Sequence, residues 1–369
     1  MKLLYIITDL DMGGAERALL RLLKQRKQEH NIFLISLVKD GVLLNDFCAL
    51  GIRVESLGLN YGQMTFYALK HLSKLIKSFN PDIIHSWMYH ANLVSYLANC
   101  SNAKLVWSIR QCIYKDQKEK LLTKIVLKLC SWISKKIDVI AYNSKLSLTQ
   151  HQKRKFYGKS DVYIPNGFGK AIIVEEIDKV YDECNIPKDR LLIGLVGRFH
   201  AMKDYPMALK SFARLKEVFN FHIIFIGKDL DENNKDLESL VLDIGLKGKV
   251  SFLGQKLNLE KYYSAFDFFV SSSLSEAFPN VLAEAMSYGC ICVSTDVGDC
   301  KEVLSNNGFL CKSESIDDLT DKLKLALSLN KDEKTILSEG AKKRIKENYS
   351  IQKITQEYHQ LYERLICAE

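Results

Sequence analysis

Two glutamates lie eight positions apart, and their surroundings suggest a binding role. Glu276 and Glu284 bracket the segment Ala-Phe-Pro-Asn-Val-Leu-Ala, in which Pro279 is typical of the first turn of a helix. Glu284 would then lie on a helix face shared with Val281 and Leu282, where a carboxylate usually has a specific partner. Glu276 would lie in the preceding loop, where its carboxylate and the amides after it could bind a polyhydroxylated ligand. The alternative for Glu284 is an ordinary surface charge.

Two cations follow the predicted strand 192–196. Arg198 and Lys203 belong to the segment Gly-Arg-Phe-His-Ala-Met-Lys at 197–203. Open parallel sheets bind ligands where their strands lead into helices. A guanidinium makes bidentate contacts to phosphate, and an ammonium acts as a point charge. Together they could neutralise a leaving diphosphate without a metal ion; solvated surface charges are the alternative.

A glycine pair, Gly13-Gly14, follows the first predicted strand and precedes a predicted helix. Glycines there let the backbone approach a ligand, and the N–H groups of a helix N-terminus attract anions. The spacing is not GxGxxG, because Glu16 and Arg17 take the later positions, so a nicotinamide-dinucleotide fold is poorly supported. A simple tight turn is the alternative.

The sequence predicts no metal site and no bound cofactor. Asp9 and Asp11 have the spacing of a DxD metal motif, but they lie in the segment of the glycine pair, and we do not interpret them as metal ligands. The ten cysteines include no CxxC pair and are expected to be buried, reduced thiols. We therefore expect activity that is independent of metals.

Short apolar runs alternate with helical patterns along the whole chain, which is typical of βαβ units and parallel sheets. The pattern restarts after the turn sequence Ile-Pro-Asn-Gly at 164–167. The predicted strands are 3–8, 32–37, 83–86, 105–109, 139–142 and 162–164 before it, and 192–196, 222–226, 250–252, 268–271 and 291–294 after it. The predicted fold class is therefore α/β.

The chain has 369 residues, more than one hydrophobic core usually spans, so two domains are expected. We place them at 1–165 and 166–349, and Ser350 would cap a last helix, 350–369, that packs on either domain. Residues 1–165 hold 25 Lys and Arg against 12 Asp and Glu, whereas later residues hold 27 against 32. A nucleic acid or an anionic membrane surface could each explain the basic first half.

No apolar run reaches the length of about 18 residues that a membrane span requires. The apolar N-terminus is interrupted by Asp9 and Asp11, so we interpret it as a buried strand and not as a signal peptide. A cytoplasmic protein is expected.

Taken together, these motifs resemble the retaining glycosyltransferase family 4, which has GT-B architecture. The resemblance covers nearly the whole chain in the family's order of motifs. The resemblance rests on the motifs at 13–17, 84–86 with 90–92, 142–144, 164–167, 197–199 with Lys203, and the Glu276/Glu284 pair. Residues 107–110 add a similarity to bacterial enzymes that build lipopolysaccharide O-antigen, capsule or other surface glycans. The family implies two Rossmann-like parallel-sheet domains facing each other across a cleft, the first binding the acceptor and the second the donor.

The resemblance also implies residue roles. Glu284 would bind the ribose hydroxyls, Glu276 the hydroxyls of the donor sugar, and Arg198 and Lys203 the diphosphate, while His90 would lie near the reaction centre. The implied catalytic residues are His90, Glu276, Arg198 and Lys203; the implied donor-binding residues are Gly13, Gly14, Arg198, Lys203, Leu253, Glu276, Phe278, Asn280, Val281 and Glu284.

The implied reaction moves a sugar from a nucleotide diphosphate, a UDP-sugar in the first place, to a hydroxyl of a glycan or lipid-linked acceptor with retention. A soluble acceptor such as a sugar phosphate, and a non-catalytic sugar-nucleotide-binding protein, are the alternatives. A nucleic-acid-binding protein would leave Glu276 and Glu284 unexplained, and no aromatic-rich basic motif is present. No nucleic-acid partner is therefore expected.

The segment 115–136 has the pattern of a basic amphipathic helix. Three of its lysines recur every four residues, and five apolar residues fall on another face of a helix; these are Lys120, Lys124 and Lys128, and Leu122, Ile125, Leu129, Trp132 and Ile133. Such a basic amphipathic helix can lie on an anionic membrane, here the cytoplasmic face of the inner membrane. An ordinary domain helix with solvated lysines is the alternative.

Overall fold

The computed structural model describes residues 1–26, 31–61, 63, 65–113, 121–172, 174 and 177–367. The chain divides into two compact units. Unit 1 is Met1–Gly169 with Tyr349–Glu369, and unit 2 is Lys170–Asn348.

Unit 1 is built on a parallel sheet of seven strands in the order β3-β2-β1-β4-β5-β6-β7. The strands are β1 (Lys2–Ile7), β2 (Asn31–Val38), β3 (Arg53–Leu59), β4 (Ile83–Trp87), β5 (Lys104–Ile109), β6 (Val139–Tyr142) and β7 (Ser160–Tyr163). In the register of the central strand, Ile6 pairs with Ile35 on one side and Ser86 on the other.

Helices cover both faces of this sheet. They are α1 (Gly14–Arg26), α2 (Leu44–Cys48), α3 (Phe66–Phe79), α4 (Tyr89–Ala98), α5 (Leu121–Ile133) and α6 (Lys145–Lys153). Successive residues of a strand point to opposite faces, so Leu4 and Ile6 enter one core while Leu3, Tyr5 and Ile7 enter the other. Burial on both faces explains why these strands are apolar throughout.

The last described helix of the chain, α15 (Ile351–Cys367), belongs to unit 1. From the sequence, this helix was expected to pack on one of the two domains, without a choice between them. Ile354, Tyr358 and Tyr362 lie in the same buried cluster as Tyr5, so α15 covers unit 1.

Unit 2 contains a parallel sheet of six strands in the order β10-β9-β8-β11-β12-β13. The strands are β8 (Leu191–Val196), β9 (Phe221–Ile226), β10 (Val250–Phe252), β11 (Phe268–Ser271), β12 (Ile291–Thr295) and β13 (Gly308–Cys311). The helices are α7 (Ile177–Glu183), α8 (Tyr205–Ala213), α9 (Lys235–Asp243), α10 (Glu260–Ala265), α11 (Asn280–Tyr288), α12 (Cys300–Leu304), α13 (Ile316–Leu327) and α14 (Lys331–Asn348).

Two strands, β3 and β13, were not predicted from the sequence. Each is the last strand at one edge of its sheet. β3 carries Arg53, Glu55 and Gly58 and is largely exposed or half-buried, and β13 has four residues of which one is buried. Edge strands lack the continuous apolar run that marks a central parallel strand.

The helix predicted in the basic segment is α5, and its apolar face is exposed. Lys124 and Lys128 are exposed, while Lys115 and Lys120 lie outside the described residues. Exposure is 44% for Leu122, 48% for Ile125, 40% for Leu129 and 81% for Trp132. Ile133 was wrongly grouped with this face, because it is buried in the core together with Val126, Leu127 and Cys130. Among the described helices, none is long and apolar enough to cross a membrane.

Candidate active site

The strand order of unit 2 reverses between β8 and β11. From β8 the chain builds outward to β9 and β10, then returns to add β11 on the other side of β8. Open parallel sheets bind ligands at such a point, outside the carboxyl ends of the strands. Arg198 and Lys203 follow β8, and Glu276 follows β11. The topology therefore brings these predicted site residues to one place.

Lys203 and Glu276 are in direct contact. Lys203 Nζ donates to Glu276 Oε1 at 2.5 Å, and the two side chains are 21% and 17% exposed. Ser273 Oγ donates to the same oxygen at 2.8 Å. The prediction gave the two residues different ligand groups, whereas here they satisfy each other. A diphosphate that binds Lys203 must share the Lys203 ammonium with the Glu276 carboxylate or replace that carboxylate.

Hydrogen bonds join the two loops that carry this pair. Ser272 Oγ donates to the Lys203 carbonyl at 2.7 Å. The N–H of Leu274 donates to the Met202 carbonyl at 2.8 Å. Because both ends of the ion pair are fixed through backbone atoms, its geometry is set before any ligand arrives.

A third loop, after β12, supports Glu276 from behind. A side chain at Gly298 would collide with the backbone carbonyl of Glu276, and Gly298 has a φ of +56°. Only glycine combines that conformation with so close an approach. The next N–H, that of Asp299, donates to the Ala277 carbonyl at 3.1 Å. The Glu276 loop is therefore held from two sides.

The loop after β8 is electropositive. Arg198 is exposed and makes no ion pair within the described part of the chain. His200 Nδ1 accepts the N–H of Met202 at 3.2 Å, which leaves Nε2 to carry the proton of the neutral ring. Burial, followed by the charges of Arg198 and Lys203, lowers the pKa of His200. The same positive potential would attract a phosphate group.

Glu284 has a specific partner, as its surroundings predicted. Its Oε2 accepts the hydroxyl proton of Tyr263 of α10 at 3.1 Å. Tyr263 is 3% exposed, and its ring stacks on Tyr288 with centroids 5.6 Å apart. Pro279 precedes α11 at the N-cap position and is not part of its first turn. The half-buried carboxylate is thus oriented by a hydroxyl, an arrangement that suits recognition of further hydroxyls.

The remaining predicted donor-binding residues of unit 2 contribute less through their side chains. Phe278 is 3% exposed, so a contact from it would come from its backbone. Asn280 and Val281 are half-buried in the first turn of α11. The N–H of Leu253 donates to the Phe225 carbonyl at 2.9 Å, which leaves the Leu253 carbonyl as the group for a ligand.

Unit 1 has its own reversal of strand order, between β1 and β4. Gly13 and Gly14 follow β1, and His90 lies in the first turn of α4, directly after β4. His90 is half-buried, and burial lowers its pKa. Met88, at the entry to α4, has a φ of +76°. Such backbone strain in a non-glycine residue is found preferentially at functional sites.

The anion site expected at the N-terminus of α1 already holds a carboxylate. Glu16 is 7% exposed, and its carboxylate accepts its own backbone N–H. A side chain at Gly13 would collide with that carboxylate. Burial, followed by repulsion from Asp9 and Asp11, raises the pKa of Glu16 to about 7. In this conformation the geometry does not support anion binding here.

Among the described residues, no group of three or more His, Cys, Asp or Glu side chains could hold a metal ion. His85, interpreted as structural, is 1% exposed. Its Nδ1 lies 2.5 Å from Tyr362 Oη and its Nε2 lies 2.7 Å from Ser108 Oγ.

Comparison with known families matches the two halves of the chain separately. Residues 12–168 match the family described as Glycosyltransferase Family 4, and residues 176–344 match Glycosyl transferases group 1. The two matches together span most of the chain, which carries a Glycosyltransferase Family 4 domain followed by a Glycosyl transferases group 1 domain. The chain is therefore an enzyme that transfers a glycosyl group.

Curated relatives cover most of this glycosyltransferase. One is the Campylobacter jejuni "N-acetylgalactosamine-N,N'-diacetylbacillosaminyl-diphospho-undecaprenol 4-alpha-N-acetylgalactosaminyltransferase", 28% identical over 308 residues and 80% of each chain. Another is the "Capsular polysaccharide biosynthesis glycosyltransferase CapH" of Staphylococcus aureus, 26% identical over 82% of this chain and 83% of the relative. Among solved structures, Anabaena HepE with UDP and glucose has a TM-score of 0.85 at 19% identity, covering 98% of this chain and 99% of that one.

Sequence reasoning missed the partners of the glycosyltransferase's acidic residues. Ser273 lies three residues before Glu276, so its hydrogen bond is local, and a loop serine beside an acid is a usable signal. Tyr263 lies 21 residues before Glu284 on another helix. No short-range pattern indicates that contact.

Proposed function

We propose that this glycosyltransferase moves a sugar from a nucleotide diphosphate, most simply a UDP-sugar, to a hydroxyl of a glycan or lipid-linked acceptor with retention of configuration. The observation that carries the proposal is the Lys203–Glu276 pair at the strand reversal of unit 2, with Arg198 in the same segment after β8 as Lys203. It supports the proposal because the cations would stabilise a departing diphosphate and the carboxylate would accept sugar hydroxyls.

In the proposed reaction, the bond between the anomeric carbon and the β-phosphate oxygen breaks, and a bond from that carbon to the acceptor oxygen forms on the same face. The acceptor proton passes to the leaving phosphate oxygen. Arg198 and Lys203 stabilise the negative charge that develops on the diphosphate. Glu276 orients the donor sugar, so that catalysis consists of positioning and charge stabilisation.

The nucleoside part of the donor would bind farther along the same sheet edge. Glu284, oriented by Tyr263, would accept the ribose hydroxyls, and the Leu253 carbonyl would contact the base. The solved structures of similar fold that contain UDP or UDP-glucose support a uridine donor as the first to test. His90 would act as a neutral hydrogen-bond donor near the reaction centre, because burial lowers its pKa.

The names of the relatives support a lipid-linked or polysaccharide acceptor. Two Campylobacter jejuni relatives are named for diphospho-undecaprenol or PP-undecaprenol acceptors, and CapH is named for capsular polysaccharide biosynthesis. A sugar phosphate as acceptor is the runner-up. Loss of catalysis is disfavoured, because Arg198, Lys203, Glu276 and Glu284 are all present.

We also propose peripheral contact of α5 with an anionic membrane, the cytoplasmic face of the inner membrane in a bacterial cell. An ordinary domain helix buries its apolar face, whereas Ile125, Leu129 and Trp132 of α5 are 48%, 40% and 81% exposed. Lys124 and Lys128 lie exposed on the same helix. Exposed apolar side chains beside lysines are typical of helices that lie in a membrane interface. Such contact would bring unit 1 to a lipid-linked acceptor.

The first experiment is a thermal-shift and hydrolysis screen across UDP-, GDP- and ADP-sugars. The expected result is stabilisation and slow hydrolysis with one nucleotide class, without added metal. Glu284→Gln should abolish most of the shift while its own melting temperature without ligand stays that of the wild type. An absence of shift and hydrolysis with every donor would overturn the proposal.

A matched variant separates binding from catalysis. Arg198→Met should keep much of the thermal shift and lose hydrolysis, because the charge it stabilises is greatest in the transition state. Lys228→Met, an exposed lysine in the loop after the neighbouring strand β9, serves as the control for general loss of positive charge. If both variants lose hydrolysis equally, a specific role for Arg198 is excluded.

A further inference from the structure

Three aromatic side chains stand exposed at the carboxyl edge of the unit 1 sheet. Tyr61, Phe66 and Tyr67 are 64%, 83% and 81% exposed. Tyr61 follows β3, and Phe66 and Tyr67 lie in the first turn of α3, at the same edge of the sheet as Gly13 and His90. Large aromatic rings are costly to leave in water and often mark a binding surface.

Phe66 and Tyr67 have no role in packing α3. The helix is capped by Thr65, whose hydroxyl accepts the N–H of Ala68 at 3.1 Å. Its buried stripe begins only at Ala68 and continues through Leu72, Ile76 and Phe79. The two rings precede that stripe, in the first turn, so the core gains nothing from their being aromatic.

Tyr61 connects this aromatic group to the carboxylates after β1. Burial and the negative charges of Asp9 and Asp11, together with a hydrogen bond from Tyr61 to Asp9, raise the pKa of the phenol to about 12. The Tyr61 phenol therefore lies beside the carboxylates of Asp9 and Asp11. Asp11 is exposed, so its carboxylate can accept hydrogen bonds from a ligand.

The segment that carries these carboxylates is fixed by its neighbours. The N–H of Leu43 donates to the Leu10 carbonyl at 2.9 Å, and Gly41 lies against the backbone of Leu10 and Asp11. The N–H of Lys39, directly after β2, donates to the carbonyl of Leu59 at the end of β3 at 3.1 Å, so the chain segments after β1, β2 and β3 lie side by side as one surface. We name it the aromatic edge and define it by Asp9, Asp11, Tyr61, Phe66 and Tyr67.

The charge of the aromatic edge indicates its occupant. Residues 1–165 carry 25 Lys and Arg against 12 Asp and Glu, yet this surface presents Asp9 and Asp11, with Glu16 close behind them. Carboxylates repel a phosphate and an anionic membrane. They accept hydrogen bonds from hydroxyl groups, while aromatic faces cover the apolar C–H faces of a sugar ring. The chemistry therefore fits an uncharged sugar.

We propose that the aromatic edge binds the acceptor's sugar units, with Phe66 and Tyr67 stacking on the rings and Asp11 accepting their hydroxyls. This inference rests on the proposed function, because it concerns the acceptor side of the same transferase. It assigns specificity for the acceptor glycan to residues that take no part in donor binding.

The test measures transfer to a farnesyl-diphosphate-linked N-acetylhexosamine, using the donor found in the hydrolysis screen. Phe66→Ala/Tyr67→Ala should raise the acceptor KM about tenfold, equivalent to about 1.4 kcal/mol, with donor KM and donor hydrolysis unchanged. Asp11→Asn should raise the acceptor KM similarly. Tyr157→Ala, a ring 45% exposed that precedes β7 at the opposite edge, is the matched control and should change nothing.

Each outcome has one meaning. An unchanged acceptor KM in the double variant, or an equal rise in Tyr157→Ala, overturns the aromatic edge. A rise in donor KM also overturns it, because the surface would then act on the donor. Absence of wild-type turnover, with no donor hydrolysis either, counts against the proposed function itself; hydrolysis without transfer to this sugar probe counts against the aromatic edge.

Discussion

Replacing Glu276 by glutamine should have opposite effects on nucleotide binding and on sugar transfer. In the structure its carboxylate holds the ammonium of Lys203 at 2.5 Å. A phosphate group must take that ammonium from the carboxylate and then remain close to it. Glutamine keeps the shape and an acceptor oxygen but removes the negative charge. UDP alone, which lacks the sugar, should therefore bind the variant more tightly.

The size of the gain follows from Coulomb's law. A phosphate charge about 5 Å from the carboxylate is repelled by about 3 kcal/mol at an effective dielectric of 20. The two side chains are 21% and 17% exposed, so water and salt reduce this to about 1.4 kcal/mol, which is roughly tenfold in affinity. Transfer should fall by about 10²-fold, because a neutral amide orients the donor sugar less well than a carboxylate.

Titration calorimetry with UDP gives the first quantity, and single-turnover transfer from the sugar nucleotide gives the second. Ser273→Ala removes the other hydrogen bond to Glu276 Oε1 without changing charge, so it should alter UDP affinity less than about twofold. Lys203→Met should weaken UDP binding. Unchanged or weaker UDP binding by Glu276→Gln refutes the competition for Lys203, and unchanged transfer refutes the sugar role.

Four further results are expected. Arg198→Met should lower kcat by about 10²-fold with a smaller change in donor KM; steady-state kinetics showing only a higher KM would indicate ground-state binding. Activity should survive EDTA, and loss restored by Mn²⁺ or Mg²⁺ would contradict metal independence. Lys124→Gln/Lys128→Gln should weaken the affinity for anionic liposomes about 30-fold at low salt, since each lysine contributes about 1 kcal/mol. The variant should still use a soluble acceptor analogue, and equal sedimentation of variant and wild type would favour a solvated face. Glu16→Gln should stabilise the protein at pH 8 by about 1–3 kcal/mol and leave its stability unchanged near pH 4. The folded-state pKa of Glu16 is raised to about 7, so the wild type loses stability as pH rises through that value. An equal difference in melting temperature between variant and wild type at both pH values would refute this.

The central strands could be predicted because parallel sheets bury both faces of a strand. Leu3–Ile7 and Phe221–Ile226 are buried at every residue, so an apolar run is their unavoidable sequence signature. Helix boundaries and strand order do not follow from such runs. The meeting of Lys203 with Glu276 required the order β8-β11, which brings loops 73 residues apart together.

The exposed face of α5 shows why periodicity alone could not decide the membrane question. Lysines on one face and apolar residues on another describe a core helix and an interfacial helix equally well. In the structure the core contact of α5 uses Val126, Leu127 and Cys130. Ile125 and Leu129, on the adjoining stripe, remain exposed. The apolar surface of this helix exceeds what its own domain buries.

Two buried arginines in unit 1 mark the limit of sequence reasoning. Arg26 and Arg110 are 0% and 9% exposed, and neither has a carboxylate partner in the described ranges. Arg110 lies 3.7 Å above the Trp87 ring and donates to Asn166 Oδ1 at 2.7 Å, while Arg26 lies 5.0 Å above the ring of Tyr362. Burying an unpaired guanidinium costs several kcal/mol, so aromatic faces and neutral oxygens must replace the missing carboxylates. Arg110 also donates to Tyr358 Oη at 2.5 Å. Because Tyr358 and Tyr362 both belong to α15, the two arginines stabilise the packing of α15 on unit 1.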